Sequence, residues 1–417
     1  MPQPRPAAVA RVHFVMALAY GIVALLSLID FALAQFGLLP ELNNLYWFRL
    51  HVITIGVLVQ AAFGALPLLL ARRLETTPPS SRWLWTAFGL LNTGLLLLAV
   101  GQITGVQWQR SSGATLLLLA TLAEIALLVG VWRRAPGQRP IVARFYLAAP
   151  FYLLLGVLMA MIMIDGWWSP RGYQAVKESH IHANIFGFTG ILVAGVALDV
   201  LPALFGRTLA RPKWVAPSFW LMAVGGVGLW FGPYIGVLPV IGGSLLIYIG
   251  GLALMLANFF LTTHRPTPVR IVNGAHLLLS YIWIAAPAIA TIFFVLLGPD
   301  NVPLTRLELG VTQGLIYGWV MQIALAFLPA AALRFGSGRW QQALTRSEGS
   351  WFTLVTLNLA VAAIWLASIV LQWQQARPVV AIAYLFVFAA MLPYLWRLFQ
   401  ALRPSPISSL QSPISHP

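Results

Sequence analysis

Twelve apolar stretches, each about twenty residues or longer, follow one another at roughly 12–36, 48–71, 83–105, 112–132, 144–164, 178–205, 214–232, 238–262, 270–297, 306–333, 350–372 and 378–401. A helix of about 20 apolar residues crosses about 30 Å of hydrocarbon and satisfies its own backbone there. The pattern therefore predicts an all-α fold: a polytopic membrane bundle of twelve transmembrane helices forming one domain over residues 1–403. Composition agrees, because 60% of the 417 residues are apolar and only 8% are charged. A soluble domain is about half apolar and about a quarter charged. A soluble enzyme, a nucleic-acid binder and a secreted disulfide scaffold are excluded on that ground. The lipid bilayer is the expected partner. The first stretch is read as an uncleaved anchor rather than a signal peptide.

The formal charge of +15 resembles a nucleic-acid signal until the cations are sorted by side. With twelve spans, 19 of the 25 Lys and Arg residues fall on the N-terminal side, among them Arg72, Arg73, Arg133, Arg134, Arg207, Arg211 and Lys213. The other six are Arg49, Arg110, Arg171, Lys177, Arg306 and Arg377. By the positive-inside rule both termini are cytoplasmic in an inner, cytoplasmic membrane, and no nucleic-acid partner is implied. Residues 404–417 repeat Ser-Pro-Ile-Ser at 405–408 and 412–415 and are read as a disordered tail.

An internal repeat has a period of 131 residues. Gly56 meets Gly318 at twice that offset, as Gln60 meets Gln322, Leu66 meets Leu328 and Pro67 meets Pro329. At the single offset His51 meets His182, Gly56 meets Gly187, Gly64 meets Gly195, Trp83 meets Trp214, Phe88 meets Phe219, Gly94 meets Gly225, Gly101 meets Gly232 and Gly105 meets Gly236. A constant offset through several helices predicts three pseudo-symmetric units of four helices, about 11–141, 142–272 and 273–403. Matching glycines let helices cross closely.

Absence of cysteine removes thiolate zinc sites, iron–sulfur clusters, thiol nucleophiles and covalent haem attachment. Histidine is then the leading metal ligand. Of seven histidines, His51, His180 and His182 sit within roughly two turns of the far ends of their stretches and share one depth. His13 and His276 lie near the opposite ends, and His264 and His416 lie outside the spans. Imidazole in lipid faces a cavity, a partner or a metal. Two imidazoles at one depth on different helices suit an axial pair on haem iron. The competing role is an interhelical hydrogen bond to a carbonyl or to Asn184.

The segment Ser179-His180-Ile181-His182-Ala183-Asn184, then Gly187, Gly195 and Leu201-Pro202, resembles the His-x-His helix of haem-copper oxidase large subunits, the subunit I superfamily of cytochrome c oxidase and nitric oxide reductase. Arg49-Leu50-His51 through Gly64-Ala65-Leu66-Pro67 resembles the helix carrying a low-spin haem ligand in that family, and Tyr317-Gly318-Trp319 to Pro329 looks like a third, altered copy. Twelve helices in three arcs of four are also that family's architecture. The resemblance implies non-covalent haem b with His51 and His182 on the iron, and His180 as a neighbouring or alternative ligand. It implies Arg49, Arg171 and Arg306 as partners of the haem propionates, and a cytochrome or quinol as redox partner. The activity expected is electron transfer, or binding of or response to O2 or nitric oxide; as an enzyme the chain would be an oxidoreductase. A more distant resemblance is to membrane haem proteins of the nitric-oxide response.

Departures from the family pattern matter as much. Gln313 stands at the position of His51 and His182, and the stretch 214–232 holds no histidine for copper. Three far-side histidines are too few for two haems and a copper ion, so copper and standard oxygen reduction are disfavoured. Glu124, mid-span, reads as a proton relay or as a neutral carboxyl bonded to a neighbouring helix. Asp165-Gly166-Trp167-Trp168 and Tyr173 read as part of an interfacial aromatic belt. A cofactor-free transporter, or an assembly or structural subunit on the same scaffold, is the alternative function.

Overall fold

A computed structural model describes residues 6–167, 171–204, 206–263, 271–297, 304–335, 342 and 349–402. Its described residues are helical, without a strand. Among the described residues, eleven helices are long and apolar enough to cross a membrane. The first eight are α1 (Pro6–Gln35), α2 (Leu45–Arg73), α3 (Ser81–Thr104), α4 (Gln107–Arg133), α5 (Ile141–Asp165), α6 (Tyr173–Val200), α7 (Pro212–Ile235) and α8 (Leu238–Thr262). After α9 (Ile271–Ser280) and α10 (Ile282–Leu297), the remaining three are α11 (Gly310–Pro329), α12 (Trp351–Val370) and α13 (Trp373–Gln400).

The apolar stretch 270–297 is not one helix but α9 and α10, which meet at Tyr281. At this junction the backbone bonds shift to three-residue spacing: Tyr281 N–H donates to Leu278 O and Ile284 N–H to Tyr281 O, both at 3.3 Å. Neither half alone reaches spanning length. The tail 404–417, His264, His416 and Trp168 lie outside the described residues, as does the side chain of Arg306.

The outer surface of the bundle is apolar. Leu96, Leu246 and Leu359 are more than half exposed, a pattern that drives association in water and is the favourable surface in lipid. Trp83, Trp108, Trp167, Trp351 and Trp396 are exposed near helix ends, where indole rings sit at headgroup level. Trp167 and Tyr173 are both exposed, consistent with the belt reading of that loop.

Small residues set the helix spacing. A Cβ on Gly94 of α3 would lie 3.0 Å from Gly113 O and Leu117 N of α4; on Gly225 of α7 it would lie within 2.8 Å of Ser244 O and Tyr248 N of α8. Gly101 packs against Arg110 and Gly232 against Ile241. Each contact in α3–α4 thus recurs 131 residues later in α7–α8. The turns that close these helices also match: Gly105 has φ 75° and Gly236 φ 68°, the left-handed conformation that glycine adopts without a Cβ clash.

Three π-helical segments interrupt α2, α6 and α11, over Val52–Val59, Ala183–Thr189 and Gly314–Val320. Their first residues are 131 apart. Six-residue closures appear in each: Gln60 N–H to Ile55 O, Gly190 N–H to Ile185 O and Met321 N–H to Ile316 O. Every π turn carries a glycine at its centre with an aromatic ring pressed on it. A Cβ on Gly56 would be 2.7 Å from Tyr20, on Gly187 2.4 Å from Tyr152, and on Gly318 2.2 Å from Trp283. The polar tips of these rings are anchored. Tyr20 OH donates to Asn92 Oδ1 (3.0 Å), Tyr152 OH to Ala223 O, and Trp283 Nε1 to Asn358 Oδ1 (2.8 Å). Asn92 and Asn358 in turn donate to Gln60 and Gln322, at 3.3 and 3.0 Å.

Candidate functional site

His51, His182 and Gln313 are each the last residue before a π segment. Wide turns of this kind concentrate at functional sites because each inserts a residue and re-aims the side chains beyond it.

All three far-end histidines have Nδ1 against a backbone carbonyl. His51 Nδ1 donates to Trp47 O at 2.9 Å, His180 Nδ1 to Gly156 O at 2.8 Å, and His182 Nδ1 to Leu229 O at 3.0 Å. A carbonyl only accepts, so the proton sits on Nδ1 and the lone pair on Nε2. This is the tautomer and orientation of a metal-ligating imidazole, with its second nitrogen held by the protein. The interhelical carbonyl bonds weighed as the competing role are present for His180 and His182, whereas the His51 bond lies within its own helix, and all three leave Nε2 available.

The histidine ring facing His51 belongs to His180. Their centroids lie 6.4 Å apart with planes 19° from parallel. Face-to-face stacking brings rings much closer, as Trp47 does on His51 at 4.0 Å. Two imidazole nitrogens each about 2 Å from one shared metal would put the centroids roughly 6 Å apart, so this spacing fits an ion between them. Both residues are half-buried. His182, expected opposite His51, instead packs against Phe186 (5.4 Å) and reaches α7 through Leu229.

His180 is clamped between Asn184, a partner weighed from the sequence whose Nδ2 lies 3.3 Å from His180 Nδ1, and Gly156, which sequence reading missed. Gly156 of α5 offers its carbonyl at a point where a Cβ would stand 2.3 Å from Asn184 Nδ2. Asn184 Nδ2 also donates to His180 O at 2.8 Å. A small residue opposite the His-x-His-x-Asn run was the available signal.

The arginines diverge. Arg49 is 1% exposed and turned into the bundle, where Nη2 donates to Tyr384 OH at 2.7 Å. Arg171 lies over the Gly236 turn, 3.0 Å from where its Cβ would be. Glu124 is fully buried, and neither carboxyl oxygen has a hydrogen-bond partner among the described residues; the neighbouring-helix bond is not formed there. His13 donates from Nδ1 to Gln60 O at 3.1 Å and, with His276, sits at the opposite end. Among the described residues no three His, Asp or Glu side chains gather as a site for a bare ion. Comparison with known proteins matched no family model and no curated sequence.

Proposed function

We propose that the chain is an integral membrane b-type haem protein that transfers electrons, built as three pseudo-symmetric four-helix units with both termini cytoplasmic. The observation that carries this reading is the pair His51–His180, two Nδ1-protonated imidazoles with centroids 6.4 Å apart and near-parallel planes. Recurrence of the π segments, the α3–α4 packing and the glycine turns at one period of 131 supports the three units, with α9 and α10 together as the twelfth span. The resemblance to haem-copper oxidase subunit I accords with both features.

In this reading His51 and His180 hold the iron, and His182 becomes the neighbour rather than the ligand. Haem supplies one-electron chemistry when bound. The chain's own part is to fix both imidazoles through the Trp47 and Gly156 carbonyls and to surround them with low-dielectric protein. With both imidazoles committed to the haem, the reading favours electron transfer over O2 or nitric oxide binding. A cytochrome or quinol is the corresponding partner class.

The test is the absorption spectrum of protein purified after expression with ample haem. A b-type spectrum is expected, lost in His51→Ala and in His180→Ala and kept in His182→Ala. Loss with His182→Ala but not His180→Ala would restore the His51–His182 pairing. A Soret band surviving both His51→Ala and His180→Ala refutes this ligand assignment, and a colourless wild-type protein refutes the haem reading and favours the cofactor-free transporter or assembly subunit.

A further inference from the structure

Arg49 is among the largest fully buried side chains of the molecule. It carries a permanent charge, since guanidinium keeps its proton in proteins. Of its donors, Nη2 bonds Tyr384 OH, whereas Nε and Nη1 have no partner. The rings of Tyr384, Phe31 and Tyr46 stand 4.4, 5.7 and 6.0 Å from the guanidinium carbon. Tyr317 lies against Tyr384 with ring centroids 5.9 Å apart, and its buried hydroxyl faces the Arg49 guanidinium. Gln313, 1% exposed, completes the cluster, with Oε1 unpartnered.

Among the described residues no carboxylate forms an ion pair with Arg49. The groups that act on Arg49 are tyrosines. Glu308, which acts on Tyr46 of the cluster, is taken by Lys177 at 2.5 Å, and Glu41 by Arg377. Aromatic faces and one hydroxyl are weak compensation for a buried cation. Arg49 Nε and Nη1, with the Tyr317 hydroxyl beside the guanidinium, leave a buried cation that lacks an anionic partner among the described residues.

The geometry points to a buried site for a small monovalent anion, of halide or one-carbon carboxylate size, bound by Arg49 Nε and Nη1 and the Tyr317 hydroxyl. The Gln313 amide can turn its nitrogen towards the anion, because oxygen and nitrogen exchange places at little cost in shape. Position adds to the argument, a step that rests on the three-unit reading above. Arg49 and His180 are 131 residues apart, as are His182 and Gln313. The Arg49–Gln313 place is thus the counterpart, between the third and first units, of the His51–His180 place between the first and second. The protein keeps the place and exchanges two bases for a cation and an amide.

The probe is radiolabelled chloride, measured by equilibrium dialysis on the full-length protein in detergent, against gluconate at constant ionic strength. One chloride per chain is expected, displaced by bromide, nitrate and formate. Thermal stability should rise saturably with chloride; at a hundred times Kd the folded state is favoured about a hundredfold. Arg49→Met should lose both effects, and Tyr317→Phe should weaken chloride affinity about tenfold while folding normally, which keeps the test decisive should Arg49→Met not fold. Repeating the dialysis on His51→Ala separates two sources of the anion. Chloride bound equally with and without haem means a free anion. Chloride bound only in haem-free protein means that a haem carboxylate fills the site and overturns the free-anion assignment. No chloride in either state means that water satisfies Arg49, and the inference fails whatever the spectrum shows.

Discussion

The contact between Gly318 and Trp283 lends itself to a quantitative test of how the π segments are held. A Cβ on Gly318 would stand 2.2 Å from Trp283 Cγ and within 2.7 Å of Cδ1 and Cδ2, where carbon atoms rest at about 3.5–4.0 Å. The ring has nowhere to retreat, since its Nε1 is tied to Asn358 Oδ1 at 2.8 Å and the indole is 8% exposed. Gly318→Ala should therefore cost about 1–3 kcal/mol through overpacking. Trp283→Ala should cost about 3 kcal/mol, the low end for such a truncation, because in lipid the loss is packing rather than exposure to water. In the double variant the new methyl enters the space the indole left, so it should be no less stable than Trp283→Ala alone. The coupling is then about 1–3 kcal/mol, well outside the roughly 0.5 kcal/mol scatter of independent sites. Reversible unfolding in mixed micelles measures all four corners. Gly89→Ala is the control: nothing lies within 4 Å of its Cβ, and helix propensity should gain up to about 1 kcal/mol. A neutral Gly318→Ala, or two single effects that simply add, would refute the account of the π turn as pinned by its ring.

Two further outcomes are expected from the same structure. Gly105→Ala and Gly236→Ala should each lose about 1 kcal/mol, since φ values of 75° and 68° strain any residue with a Cβ; unchanged unfolding curves would mean that these turns relax freely. Glu124→Leu should raise stability by about 1–2 kcal/mol, because a buried polar group without a partner is replaced by an apolar one of similar volume; a marked fall would show that the carboxyl has a partner, such as ordered water.

Most of the helical layout was legible because length and apolarity alone define a span. The exception is Tyr281: the run 270–297 is uninterrupted in hydropathy, and the break lies in hydrogen-bond spacing, which composition does not encode. The π segments were equally silent, although Gly56, Gly187 and Gly318 marked their centres. For the histidines, sequence supplied depth but not direction. His180 and His182 are two residues apart, hence about 200° around a helix, and nothing in the sequence says which of them looks towards α2. The sequence groups Arg49 with Arg171 and Arg306 as a propionate partner for the same reason: it supplies depth, and only the packing of α1, α11 and α13 around Arg49 buries it.

That two-residue spacing links the two proposed sites. On α6, His180 turns to α2 of the first unit, while His182 turns to Leu229 on α7. On α2, His51 turns to His180 of the second unit, while Arg49 turns to Tyr384 on α13. Each helix thus carries one side chain reaching back to the unit before and, two residues later, one turned the opposite way. On the proposed three-unit arrangement this gives three junctions with one geometry and three chemistries. The first has His51 and His180, the second His182 and Val311, and the third Gln313 and Arg49. A junction with two bases suits a metal, whereas a junction with a guanidinium and an amide repels a metal ion and draws an anion. Charge at each junction, rather than shape, then decides what it holds. Placing histidine at both 49 and 313 would be expected to create a second bis-imidazole site, visible as a doubling of haem per chain. Failure of that double variant to gain haem, in a protein that still folds, would mean that the junctions differ in shape as well as in charge.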